Sequence, residues 1–274
     1  MQSFTGKTAL VTGAAGDIGA ATAAAFARGG ASVVVTDRRA EALEQVAAAL
    51  REAGGEVLAH ACDQTDPDAV ASLFAAIGER FGRLDAAFVN AGYGRYGALI
   101  DMDFPQWRKH VDVNLNGGFL IAQGAARLMR DGGRGGAIVM NASTAAAYIC
   151  DLLGAYAASK AGVRMLAKSL ASELGVHRIR VNLIMPGVIE TAMTRSLLDE
   201  PAVRADALSN TPAGRLGRPE DVAGLATFLC SEAAGYITGA EILADGGQTL
   251  HGYPRWFSAD YAQPGADWRA HTEA

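Results

Sequence analysis

Short apolar runs alternate with longer stretches of helical period along most of the chain. Ala9-Leu10-Val11, Ser32 to Thr36, Val57-Leu58-Ala59 and Ala86 to Val89 read as strands. So do Ala137 to Met140, Arg180 to Ile184 and Ala240 to Leu243. Between them lie helical patterns, among them Ile18 to Arg28 and the charged stretch Arg39 to Ala53. Strands that alternate with helices predict right-handed βαβ units and a parallel sheet. The strands are apolar throughout instead of alternating with polar positions, which predicts helices on both faces of the sheet. No repeat or linker rich in Pro or Ser interrupts this, so residues 1–250 read as one domain.

The last residues break the pattern. Residues 251–274 hold Tyr253, Trp256, Phe257, Tyr261 and Trp268. Disordered tails are poor in aromatics, so this extension is expected to pack on the domain or on a neighbouring subunit.

Composition narrows the function classes. Half of the residues are apolar and the net charge is −5, with no basic stripe. A nucleic-acid partner is therefore not expected. Neither is a membrane partner, because no apolar run reaches the length of a span. The N-terminus shows no signal-peptide pattern, which makes the cytoplasm the expected location. The 3 cysteines lie far apart without a CxxC spacing, and the histidines do not pair at ligand spacing. No disulfide framework and no metal site follow.

Candidate chemistry begins right after the first strand. Thr12-Gly13-Ala14-Ala15-Gly16-Asp17-Ile18-Gly19 joins that strand to the first helix. Glycines there permit a tight turn and close approach of the backbone to a diphosphate, and the helix N-terminus adds N–H groups and a positive dipole end. Asp37 follows roughly twenty positions on, at the end of the second strand, where a carboxylate can accept from both hydroxyls of an adenosine ribose. Such a carboxylate would repel the additional phosphate of NADP, which favours NAD. Arg38 and Arg39 pull the other way, since an arginine there can serve that phosphate.

A second constellation lies further along. Tyr156 and Lys160 are spaced i, i+4, on one helix face. An ammonium near a phenol favours the phenolate, so the tyrosine can act as base towards an alcohol or as acid towards a ketone. Ser143 stands thirteen residues before Tyr156, just past a strand. Asn90-Ala91-Gly92, Asn114 and the run Pro186 to Thr191 accompany them. The strand-end loops among these leave the C-terminal ends of strands, where open parallel sheets bind ligands.

These motifs, together and in this order, resemble the short-chain dehydrogenase/reductase family in its compact single-domain branch. The resemblance runs from Phe4 to about Gly247. It implies a Rossmann-like, doubly wound parallel β-sheet with helices on both faces. It implies Tyr156 as acid/base, Lys160 holding the nicotinamide ribose and lowering the tyrosine pKa, and Ser143 on the substrate oxygen. Asn114 would hold a relay water. Gly13, Gly16, Asp17, Ile18 and Gly19 would form the phosphate turn, with Asp37 and Arg38 at the ribose and Asp63 at the adenine. Asn90 and Gly92 would support the cofactor, and Pro186, Gly187, Ile189 and Thr191 would fix the nicotinamide carboxamide. A homotetramer is implied as well.

Tyr93, Ala145, Cys150, Leu153 and Met193 are the expected pocket lining. They are mostly apolar, which suits a neutral secondary alcohol or ketone. The leading reading is thus an NAD-dependent alcohol dehydrogenase. The alternatives are an NADPH-dependent 3-oxoacyl-type ketoreductase and a non-catalytic dinucleotide sensor. Retention of Ser143, Tyr156 and Lys160 together argues against the sensor.

Overall fold

The computed structural model describes residues 3–250. The aromatic-rich extension expected at 251–274 lies outside the described residues. Seven strands form one sheet: β1 (Thr8–Thr12), β2 (Ser32–Thr36), β3 (Val57–Ala59), β4 (Ala86–Val89), β5 (Gly136–Asn141), β6 (Ile179–Pro186) and β7 (Glu241–Ala244). They are ordered β3-β2-β1-β4-β5-β6-β7 and every adjacent pair is parallel. The sheet is doubly wound. The chain steps outward from β1 to β3, then returns to β4 beside β1 and steps the other way. That reversal opens a crevice at the C-terminal ends of β1 and β4, where such sheets bind ligands.

The apolar runs of β1, β2, β4 and β5 are continuous because each of these strands feeds two cores. Leu10, Val34, Ala87, Ile138 and Met140 face one core. Their neighbours Ala9, Val11, Val33, Val35, Phe88 and Val139 face the other. With side chains alternating across the sheet, both sets must be apolar. On the first face lie α3 (Pro67–Phe81), α5 (Gly118–Asp131) and α6 (Gly154–Leu174), contributing Leu73, Ile77, Ile121, Met129 and Val163. On the second lie α1 (Asp17–Arg28) and α2 (Ala40–Glu52), contributing Phe26 and Leu43. Val222 and Leu229 of a later helix, Pro219–Cys230, complete that face.

Two regions refine the sequence reading. After the β4 loop, α4 (Phe104–His110) passes into seven π-helical residues, Val111–Gly117, before α5 begins. The wider turn carries Asn114, which is buried. Wide turns of this kind occur often at functional sites. The loop after β6 carries two helices, α7 (Ala192–Leu198) and α8 (Pro201–Ser209), so the helix at Pro219–Cys230 is α9.

Candidate active site

The turn after β1 can be built only from glycine at two points. Gly13 has φ +64, and a Cβ there would stand 2.8 Å from the Ala91 Cα. A Cβ on Gly19 would stand 2.2 Å from the Gly13 carbonyl oxygen. The turn is therefore folded tightly against both the β4 loop and its own helix. Gly16 is the N-cap of α1, so no side chain covers the helix's first N–H groups. Such a cradle fits the diphosphate of a dinucleotide. Ile18 packs partly buried against the second core.

Asp37 directly follows β2 and is 8 % exposed. Its carboxylate accepts from the Ala15 N–H at 3.3 Å, which ties it to the glycine turn. Arg39 forks onto it, with Nε at 3.1 Å and Nη2 at 3.2 Å, and the Arg39 N–H adds a bond of 3.0 Å. Burial works to raise the Asp37 pKa, but the arginine bonds outweigh it and hold the carboxyl below its ordinary value. Arg38 instead acts on Asp63. That carboxylate accepts from the N–H and hydroxyl of Thr65, at 2.9 and 2.8 Å. The Thr65 N–H is the main cause of its lowered pKa, and Arg38 adds to it.

A line of amides and hydroxyls links the turn to the lysine. The buried Thr12 hydroxyl accepts from the N–H groups of Asn90 and Ala91, at 2.9 and 3.0 Å. Asn90 Nδ2 donates back to the Thr12 carbonyl at 3.0 Å. Asn141 Nδ2 donates to Asn90 Oδ1 at 2.9 Å, and Lys160 Nζ donates to the Asn141 carbonyl at 2.7 Å. Gly92 lies against this line: a Cβ there would stand 3.2 Å from Asn114 Oδ1 and 3.4 Å from Lys160 Nζ. Asn114 itself bonds to the backbone of Tyr93 and to the Ser159 hydroxyl.

Tyr156 and Lys160 lie one turn apart on α6, with Nζ 5.7 Å from the centre of the phenol ring. Lys160 is 4 % exposed, and burial lowers its pKa to about 8. Burial raises Tyr156 to about 12; a hydrogen bond with Ser143 offsets part of this, and Tyr96 adds to it. Ser143 also accepts from the Ala145 N–H at 3.2 Å, which fixes the start of the short helical turn Thr144–Ala146. Phenol, hydroxyl and ammonium thus converge at the crevice end of the sheet. The group can donate a proton to a carbonyl oxygen, or take one from an alcohol once the phenol ionises.

The remaining expected residues line the β6 side. A Cβ on Gly187 would stand 2.8 Å from Asp245 Cβ, so the chain turns tightly after Pro186. Ile189 pairs with Gly217 as an isolated bridge. Thr191 caps α7 and shares a reciprocal capping box with Thr194. In the expected pocket, Ala145 and Leu153 are partly buried, while Cys150 and Met193 are exposed. The ring of Tyr93 turns to α4, 4.8 Å from His110 and 4.5 Å from Lys109 Nζ.

Residues that the sequence reading passed over stand nearer the phenol. A Cβ on Gly94 would be 3.3 Å from the Tyr156 ring and 3.6 Å from Met193 Sδ. Tyr96 is close enough to act on both Tyr156 and Cys150. The signal available was the glycine and tyrosine alternation Gly92-Tyr93-Gly94-Arg95-Tyr96 directly after the β4 turn.

Comparison with known proteins agrees with this geometry. A family model described as enoyl-(acyl carrier protein) reductase matches residues 13–249. The chain belongs to the short-chain dehydrogenase/reductase family, whose members bind a nicotinamide dinucleotide, and it is an oxidoreductase of that family. It is 42% identical over 249 residues to D-threitol dehydrogenase from Mycolicibacterium smegmatis, covering 89% of this chain and 94% of that protein. It is 38% identical over 245 residues to a 3-oxoacyl-[acyl-carrier-protein] reductase from Thermotoga maritima, covering 89% and 98%. The solved structure of a 7α-hydroxysteroid dehydrogenase complexed with NADH and 7-oxo glycochenodeoxycholic acid matches with a TM-score of 0.86 and 36% identity, covering 89% and 95%. Among the described residues, no helix is long and apolar enough to cross a membrane.

Proposed function

We propose that this chain transfers a hydride between NAD and a neutral secondary alcohol or ketone, with Tyr156 as general acid/base. The convergence of Ser143, Tyr156 and Lys160 carries this reading. A bound nicotinamide dinucleotide supplies the hydride acceptor or donor. The chain seats it with Gly13, Gly16, Ile18 and Gly19 at the diphosphate, Asp37 at the ribose and Asp63 at the adenine. Asn90 and Gly92 support it, and Pro186, Gly187, Ile189 and Thr191 hold the carboxamide end. Lys160 takes the second ribose and favours the phenolate. Ser143 donates to the substrate oxygen as negative charge develops there.

NAD is favoured because the Asp37 carboxylate is held ionised at the ribose position, and a second anion there is repelled. A small polyol or cyclic alcohol is the favoured substrate class. The similarity to a D-threitol dehydrogenase supports it, as does the apolar sulfur of Met193 at the pocket edge beside Gly94. The reading includes a cytoplasmic homotetramer, which light scattering on the purified protein checks.

The similarity to a 3-oxoacyl reductase favours a second reading, reduction of thioesters with NADPH. Reduction of NAD and NADP in parallel over polyols and cyclic and linear secondary alcohols, set beside oxidation of NADH and NADPH with a 3-oxoacyl thioester, separates the two. Turnover with NAD on an alcohol supports the first. Turnover confined to NADPH and a 3-oxoacyl thioester overturns it.

A further inference from the structure

Asp17 lies in the glycine turn, yet its carboxylate leaves that turn. Its Oδ2 accepts from the N–H of Ala192 at 2.7 Å, a contact between positions 175 residues apart. Ala192 opens α7. Among the described residues, the other hydrogen bonds that α7 sends outside itself run to its near neighbours Ile189 and Thr191. Those neighbours are themselves fixed: the Glu190 N–H donates to the Gly217 carbonyl at 2.9 Å, and the Gly217 N–H donates to the Val188 carbonyl at 3.0 Å. The chain is thus anchored up to Thr191, and the bond to Asp17 adds to the local bonds of α7 a tie to a distant element of the fold. The next residue is Met193, whose sulfur shares the space above Gly94 with the Tyr156 ring.

We infer that Asp17 is a positioning residue: its carboxylate latches the start of α7 to the dinucleotide turn and thereby sets Met193 over the reacting phenol. The latch runs from the cofactor side of the crevice to the substrate side. The bond is exposed, so solvent screens the carboxylate's charge and the acceptor oxygen itself is what holds Ala192. Its exposure keeps the effect modest, so the bond holds a hinge without locking it. This inference rests on the proposed oxidoreductase reading for its kinetic consequence only. The mechanical consequence, how readily α7 opens, is independent of any reaction.

Two substitutions separate the acceptor from the charge. Asp17→Asn keeps an oxygen that can accept from Ala192 and removes the charge. Asp17→Ala removes both. Either one loses the favourable placing of an anion at the first turn of α1, so that loss cancels when the two are compared. The full chain, without dinucleotide, is digested with trypsin, and cleavage after Arg195 is followed by mass spectrometry. Loss of one such bond is expected to speed cleavage about threefold to tenfold in Asp17→Ala. Asp17→Asn is expected within about twofold of the parent. Amide exchange in the peptide spanning residues 192–198 should follow the same order. With an alcohol that turns over, KM should rise in Asp17→Ala by a similar factor and kcat should change less.

Equal cleavage and exchange in all three proteins would overturn the latch. So would equal acceleration in both variants, which would make the charge and not the acceptor responsible. If no alcohol turns over, the proposed function fails while the cleavage and exchange comparison still decides the latch.

Discussion

Asn114 and Tyr93 are joined by two hydrogen bonds, one in each direction. Asn114 Oδ1 accepts from the Tyr93 N–H at 2.7 Å, and its Nδ2 donates to the Tyr93 carbonyl at 2.8 Å. A side-chain amide here does what a neighbouring strand would do, for a segment that has left the sheet. The same Nδ2 donates to the Ser159 hydroxyl at 2.8 Å, on the helix that carries Tyr156 and Lys160. The π-helical turn therefore fastens the loop after β4 to α6. Removing the amide takes the partner from the part-buried Tyr93 N–H and carbonyl, while the Ser159 hydroxyl keeps its bond to the Tyr156 carbonyl. Asn114→Ala should cost about 2–3 kcal/mol of stability, the usual range for leaving buried partners unpaired. Urea denaturation measures it, and a loss under about 0.5 kcal/mol would show that water replaces the amide.

Much of this was legible from the sequence because two-sided burial leaves its mark residue by residue. Val33, Val34 and Val35 are all apolar since they feed opposite cores in turn. The spacing of Tyr156 and Lys160 needed only the helical period. What stayed hidden depends on rotamers or on distant partners. Nothing in Asp37-Arg38-Arg39 says which arginine folds back; Arg39 does, and Arg38 acts on Asp63. The aromatic character of Tyr93 suggested a pocket wall, but its ring is drawn to His110 and Lys109 one helix away. Asp17 looked like a turn residue because its partner lies in α7.

The fork of Arg39 on Asp37 bears on cofactor choice. With the carboxylate present, the guanidinium is engaged and the site is set against a second anion. Asp37→Ser frees the guanidinium and removes the repulsion. The kcat/KM ratio of NADP to NAD should then rise about tenfold to a hundredfold, since a hydrogen bond to a charged group is worth ~1.5–3 kcal/mol. Steady-state rates with both dinucleotides give the ratio. An unchanged ratio would remove Asp37 from the ribose site.

Lys160 makes stability depend on pH. Burial lowers it from the ordinary 10.5 to about 8. Between these values the unfolded chain keeps a proton that the folded chain has released, so stability rises with pH across that window. Below about 8 the folded chain carries the buried charge and bears its full cost. Lys160→Met removes the cost along with the bond to the Asn141 carbonyl. The variant should be more stable than the parent by ~1–2 kcal/mol at neutral pH, after allowing for that bond, with the gain fading as pH nears the lysine's ordinary value. Activity should be lost although stability is gained. Urea melts at neutral and alkaline pH read the difference, and a gap independent of pH would mean that folding leaves the Lys160 pKa where it stands in the unfolded chain.

The phenol gives the sharpest kinetic expectation. Burial holds Tyr156 up to about 12 against the pull of Ser143, so at neutral pH it is protonated. That form serves reduction of a ketone directly. Oxidation of an alcohol needs the phenolate, whose fraction grows about tenfold per pH unit below the pKa. If Lys160 favours the phenolate as proposed, rates of oxidation should climb with pH and level off above about 8, where that ammonium loses its proton. Reduction should stay nearly flat over the same range. In Tyr156→Phe the climb should vanish and turnover should fall by about 10²–10⁴, the usual contribution of a placed acid/base. Dinucleotide affinity should stay within about threefold, because the ring and Lys160 remain and a change confined to the reacting proton spares ground-state binding. Fluorescence titration and a pH–rate profile on the same preparations decide it. A variant that keeps the alkaline climb would move the base to another residue.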